Sequence, residues 1–280
     1  MFKMLHDAVW VFDVEWVPDP VVGRRIHKLP LETPDAEVIA EMWKAGGATK
    51  EDPMPYLKTL LCRVVSIAAV TRRRMPDGTV QLHLTSLPHD VEDPEQTDEV
   101  AMLTRFLGAL GEHRPQLVGF NSQRADLKIL TQRAVACGIQ ASGFAQRPNK
   151  PWEGVDYWAR ESDFNVDLMS ILGSYGKSTP SLHEMALACK VPGKLSSSGE
   201  EVAPMWLEGL WSEIVAYNET DALTTYLIWL RLAHFGGFLS SEAYKQEQEQ
   251  LKALLRQESE SGKLHLLEYL EDWEQLQSRE

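Results

Sequence analysis

Four acidic side chains and one phenol have the types and spacing for oxygen-ligand chemistry. Asp13 and Glu15 lie two apart in AVWVFDVEWV (8–17), so a strand projects both carboxylates from one face between apolar neighbours. Burying two unpaired carboxylates side by side raises their pKa or destabilises the fold, and a divalent cation bound through oxygen relieves both problems. The plainer alternative is an exposed strand end with two solvated acids. Asp126 follows GFNSQRA in the opening turn of a helix, where a helix N-terminus by itself accounts for a carboxylate. Tyr217 and Asp221, in YNETD, are four apart on a helix, so hydroxyl and carboxylate point into the same space. Asp is a poor mid-helix residue, and Ala222, Leu223 and Tyr226 mark a buried face, so this acid needs a partner. A Tyr–Asp hydrogen bond knitting two helices accounts for the pair equally well.

The elements that must position these residues follow from patterning. The 8–17 run is rich in β-branched and aromatic residues and ends at Pro18, a buried strand; Pro20 and Gly23 then open a loop. A helix is expected at 34–45. Residues 62–71 and 79–86, joined by Pro76-Asp77-Gly78, read as an antiparallel hairpin. A helix over 97–111, a short strand at 117–120 and a helix from 124 to 137 come next. Residues 142–163 read as a long loop, 164–167 as a short strand with a helix beginning near Asp167, which helix capping explains as well as a place near the site does. A helix at 181–189 precedes a Ser196-Ser197-Ser198-Gly199 loop, and a long helix runs over 208–234 to Gly236-Gly237. The rest is two charged amphipathic helices separated near Ser261-Gly262, expected as a separate appendage (238–280) to a main domain (1–237). This order implies an α/β layered fold.

Bulk properties set outer bounds. Of 280 residues, 44% are apolar and 25% charged, a globular composition, and the net charge of −13 argues against a protein coating nucleic acid through a general basic surface. It leaves room for a carboxylate pocket that a bound metal neutralises and for a few local bases; Arg24, Arg25, Arg72, Arg73, Arg74, Arg124 and Lys128 are the candidates for phosphate contacts. Cys62, Cys137 and Cys189 show no CxxC spacing and are expected as reduced thiols. No apolar run is long enough to span a bilayer, so no membrane partner is expected, and a cytoplasmic location is the default expectation.

Taken in order, FDVEW, GFNSQRADL and YNETD resemble the three motifs of the DEDD 3′–5′ exonucleases, in the subgroup with Tyr in the last motif. Segments between them (Val17-Pro18-Asp19, Gly23-Arg24-Arg25, Arg63 to Ile67, Val166 to Met169, Val191 to Lys194) extend the resemblance over roughly 8–235, toward the exonucleases related to the proofreading domain of family B polymerases. The resemblance implies a ribonuclease H-like mixed sheet flanked by helices. It implies a stand-alone nuclease that uses two divalent ions, magnesium or manganese, and releases nucleoside 5′-monophosphates from a 3′ end. Asp13, Glu15, Asp126 and Asp221 would hold the metals and Tyr217 would position water, which sets His83, His89 and His183 aside. Single-stranded DNA is the first expectation for substrate; RNA, or a catalytically silent binding module of the same fold, are the alternatives. Trp16, Phe120 and Asn121 are candidates to touch substrate, although packing and turn formation also explain the latter two. Two positions depart from the family pattern: Ala125, commonly Phe, and Lys128, often Pro, both beside Asp126. The paired C-terminal helices suggest homo-oligomerisation.

Overall fold

The sheet grows outward from its most apolar strand. In a computed structural model, which describes residues 2–150, 152–159, 162–173, 178–193 and 201–278, β1 (Ala8–Pro18) is central in a five-stranded sheet of order β3-β2-β1-β4-β5. Val9, Val11 and Val17 are buried on one face of β1 and Phe12 and Val14 on the other, as befits a strand covered on both sides. β2 (Cys62–Arg74) and β3 (Val80–Leu87) add antiparallel on one flank. Their turn puts Gly78 at φ 87°, and the Asp77 carboxylate accepts from the Thr79 N–H at 2.9 Å. β4 (Gln116–Gly119) and β5 (Asn165–Asp167) add parallel on the other flank. Helices cover both faces, so the expected α/β class and mixed sheet flanked by helices are the observed architecture.

Helices α1 (Pro20–His27) and α2 (Asp35–Ala45) follow β1. The first corrects the loop expected after Pro18: Pro20 occupies a first-turn position, where its missing N–H costs nothing, and the Asp19 carboxylate caps the Val21 and Val22 N–H groups. After β3 come α3 (Glu99–His113) and α4 (Asp126–Ala136); the expected 142–163 loop contains a short α5 (Ser142–Ala145). Next are α6 (Leu168–Leu172), α7 (Leu182–Ala188), α8 (Val202–Leu207) and α9 (Trp211–Phe235). What reads as one helix over 208–234 begins only at Trp211, because Gly209 turns at φ 75° between α8 and α9. Lys194 and the Ser196–Gly199 loop lie outside the described residues.

Two layers of core result. Phe12 and Val14 pack with Met102, Leu103 and Leu107 of α3 and Leu127 and Leu130 of α4. Val9 and Val11 pack with Leu223, Tyr226 and Leu227 of α9. Helices α10 (Ser241–Glu260) and α11 (Leu264–Ser278) join this second core through Leu251, Leu255, Leu266, Tyr269 and Trp273. An ion pair between Arg72 and Glu247 at 2.6 Å, both 2% exposed, bolts α10 to β2, and Tyr226 donates its hydroxyl to the same carboxylate.

Candidate active site

Strand periodicity and helix periodicity meet at one place. Asp13 and Glu15 project from β1 toward α9, where Asp221 sits one turn beyond Tyr217. Carboxylate oxygens of Asp13, Glu15 and Asp221 lie within 4.8 Å of one another. Asn218, which sequence reasoning assigned no role, fixes this arrangement: its Nδ2 donates to Asp13 Oδ2 at 2.8 Å and its Oδ1 accepts from Ser66 at 3.1 Å. Ser66 pairs across the sheet with Glu15, so one buried amide ties α9 to both strands. The signal in the sequence was an amide within a helix face otherwise apolar, adjacent to Tyr217.

Asp126 arrives by a different route. The β1–β4 pairing ends at Val11–Val118, leaving the next stretch of the β1 edge without a strand partner. Gly119 lets the chain turn close, since a Cβ there would lie 2.5 Å from Ser122 Cβ, and Asn121 follows at φ 64°. The first residue of α4 then meets the open edge: Asp126 Oδ1 accepts from the Val14 N–H at 3.2 Å. Two turns along the same helix, Arg133 bonds Glu99 in bidentate fashion at 2.8 and 2.6 Å and Asp19 at 2.8 Å, while Glu99 also accepts from Val64 N–H at 2.7 Å. This buried network anchors α4 to α3, β2 and the end of β1. Sequence reading quoted Asp19 only within Val17-Pro18-Asp19 and gave Arg133 and Glu99 no role.

The acids line a cleft of about 630 Å³ together with Trp16, Phe120, Asn121 and Ala125. A register shift between Glu15 and Trp16 accompanies the indole's place there. Lys128 is not among the lining residues. The Asn121 and Gln123 N–H groups donate to Asp167 at 3.0 and 3.1 Å, and Asp167 also caps α6 through the Ser170 N–H, so Asp167 shapes the loop from behind. Of the candidate phosphate contacts, Arg24 is engaged by Asp35 and the Thr33 carbonyl, and Arg72 by Glu247.

A family model described as "Predicted 3′-5′ exonuclease related to the exonuclease domain of PolB" matches residues 54–273. The chain belongs to this family. The match contains Asp126, Tyr217 and Asp221 and runs through α10 into α11; β1 with Asp13 and Glu15 precedes it. Among solved structures, the chain is similar to the family B DNA polymerase from the hyperthermophilic archaeon Pyrobaculum calidifontis, at 17% identity and a TM-score of 0.44 over 81% of this chain. It spans 26% of that polymerase's length. No curated protein matches the chain.

Electrostatics give the carboxylate cluster its character. Burial, and then the charges of Asp126, Glu15 and Asp221, push the Asp13 carboxyl well above the usual carboxylate range. Burial lifts Asp126 to about 7 against the lowering effect of its backbone hydrogen bonds. Tyr217, raised by burial and by Asp221, Glu15 and Asp13, stays a neutral phenol. Cys62, on the cleft wall, is pushed up to about 12 by burial and is no thiolate nucleophile. Among the described residues no lysine or arginine lines the cleft. The cluster thus offers oxygen donors at high negative charge density, which suits a hard divalent ion.

Proposed function

We propose that this chain is a metal-dependent 3′–5′ exonuclease with a Tyr-type DEDD site, acting on single-stranded DNA. The observation that carries this reading is the convergence of three carboxylates within 4.8 Å in a member of this family, with Asp126 on the same cleft. Asp13, Glu15 and Asp221 would hold magnesium or manganese, with Asp126 serving a second ion. Oxygen-only donors fit that group, which supplies Lewis acidity for phosphodiester hydrolysis.

The protein's own residues do the rest. Tyr217, neutral at any working pH, orients the attacking water by its hydroxyl and does not act as a base. Asn218 keeps the Asp13 carboxylate in one rotamer. Trp16 and Phe120 offer rings for the terminal base, and Ala125, where the family pattern commonly has Phe, leaves room beside it. The water oxygen bonds to phosphorus, the bond to the 3′ oxygen breaks, and a nucleoside 5′-monophosphate leaves behind a new 3′ hydroxyl.

The test is digestion of labelled single-stranded and duplex DNA and RNA with free or blocked 3′ ends, in manganese, by the wild type and Asp221→Ala. Stepwise shortening from free 3′ ends of single-stranded DNA, lost in the variant, is the expected result. Equal activity of the two proteins would remove this assignment of the site.

A further inference from the structure

At the opposite end of β1 the sheet shows a second, differently charged surface. Cross-strand pairing sets Trp10, Thr71 and His83 in one row and Ala8, Arg73 and Gln81 in the next, all on the α3 side of the sheet. The other side of this corner, bearing Val9, Arg72 and Leu82, is closed by α10 through the Arg72–Glu247 pair. The α3 side stands open as a cavity of about 740 Å³, with Trp10 half-buried and 5.6 Å from the His113 ring at the end of α3. Arg73, Arg74, His83 and His113 are exposed around it, and among the described residues Asp7 is the one acid on its wall. Among the described residues neither Arg73 nor Arg74 is held in a salt bridge.

A solvated face on an antiparallel corner is ordinary; its charge is not. Acids outnumber Lys and Arg by 41 to 28 in the chain, yet among the described residues here Arg73 and Arg74, with two histidines beside them, meet the single acid Asp7 next to an aromatic ring. Unpaired guanidiniums next to rings match a phosphate chain carrying unstacked bases. We propose that this face is a second docking site for single-stranded nucleic acid, contacting the part of a long strand remote from the 3′ end held in the cleft. The proposal deepens the exonuclease reading and rests on it for the identity of the strand. The Trp10 row lies about 17 Å along β1 from Glu15 and on the opposite face of the sheet from Asp13 and Glu15, so a trinucleotide in the cleft cannot also cover it, whereas a strand long enough to pass round the sheet edge can. The net acidity of the molecule then becomes compatible with grip on a polyanion.

The experiment compares the full-length wild type, the double variant Arg73→Glu/Arg74→Glu and the milder Arg73→Gln, each first checked by thermal melt. In manganese, KM for a long oligothymidylate should rise roughly tenfold in the double variant and less in Arg73→Gln, with the trinucleotide's kcat/KM unchanged and the difference shrinking in high salt. A separate arm measures binding of labelled oligothymidylate in EDTA, which needs no hydrolysis; the double variant should lose roughly tenfold in affinity. Unchanged affinity and unchanged KM for the long strand overturn the docking site. If the wild type cleaves nothing but the charge reversal still weakens binding, the exonuclease reading falls and the surface stands. If charge reversal instead splits a dimer and leaves strand affinity intact, the face belongs to a second copy of the chain and the proposal is wrong.

Discussion

At the residue scale, the four carboxylates are a liability that a bound divalent ion would relieve. Replacing Asp13 by Asn keeps the shape and an acceptor for Asn218 while removing one charge from the cluster. Metal-dependent hydrolysis should fall by about 10³-fold or more, because several kcal/mol of charge stabilisation is lost. The metal-free variant should nevertheless be more stable than wild type by about 1 kcal/mol, read from urea melts in EDTA. A variant that is both inactive and less stable would mean Asp13 has a structural partner in place of a metal. Tyr217→Phe keeps the ring packing and loses only the hydroxyl; kcat should drop roughly 10²-fold with little change in metal affinity.

The same site sets a pH dependence. Asp13 and Asp126 have folded-state pKa values above their unfolded ones, so their stabilising contribution is complete below the unfolded carboxylate range near about 4. It is lost as pH rises through the folded value, about 7 for Asp126. In EDTA, the wild type should therefore lose melting temperature relative to Asp126→Asn between about pH 4 and 8. Over the same window the gain in melting temperature from manganese should grow, since the ligands must be ionised to bind. A wild-type minus Asp126→Asn difference that is flat with pH would contradict the assignment.

At the scale of elements, two buried charge clusters hold the site's helices in place. Arg133 aims α4 at β1; burial alone would lower its pKa, but Glu99 and Asp19 more than offset that and keep it charged. On α9, the fully buried Glu219 accepts from Ser86 at 2.6 Å, Lys263 at 2.7 Å and His265 at 2.8 Å. Burial would raise Glu219, but these partners prevail and its carboxyl lies below the ordinary range. Its contribution is thus present above the unfolded carboxylate pKa and is lost as pH falls through the folded value. Arg133→Met strands Glu99 and Asp19 as unpaired buried acids and should cost about 3–5 kcal/mol in urea melts. A cost below about 1 kcal/mol would show that the network does not anchor α4.

For the molecule as a whole, the C-terminal helices complete the core of the sheet's α9 side. Ending the chain after Gly237 would expose the apolar surface that Leu251, Leu255, Tyr269 and Trp273 cover and would leave Arg72 and Glu219 without the partners they have in α10 and α11. The shortened chain should aggregate or lose cooperative unfolding by circular dichroism; a soluble product with a sharp transition and native activity would show 238–280 to be a separate appendage. This leaves α10 and α11 less free apolar surface for self-association than their two amphipathic stripes suggest when read alone.

Sequence by itself determined the strand carrying Asp13 and Glu15, the helix carrying Tyr217 and Asp221, the α/β class and the family, because period-2 and period-3.6 patterning and contiguous motifs are local properties of the chain. Asp19 as a cap, with Pro20 in the first turn, was equally local and was passed over for the loop that Pro and Gly suggest. What only the tertiary structure decided is which distant side chains meet. Asn218 and Ser66 are 152 residues apart, Arg72 and Glu247 are 175 apart, and Arg73 and His83 share a face with Trp10 only through strand register. A buried amide or ion pair leaves no periodicity of its own. Its partner is set by how two elements pack, and burial makes the pairing matter because an unpaired polar group in a low-dielectric interior costs more than the pair contributes.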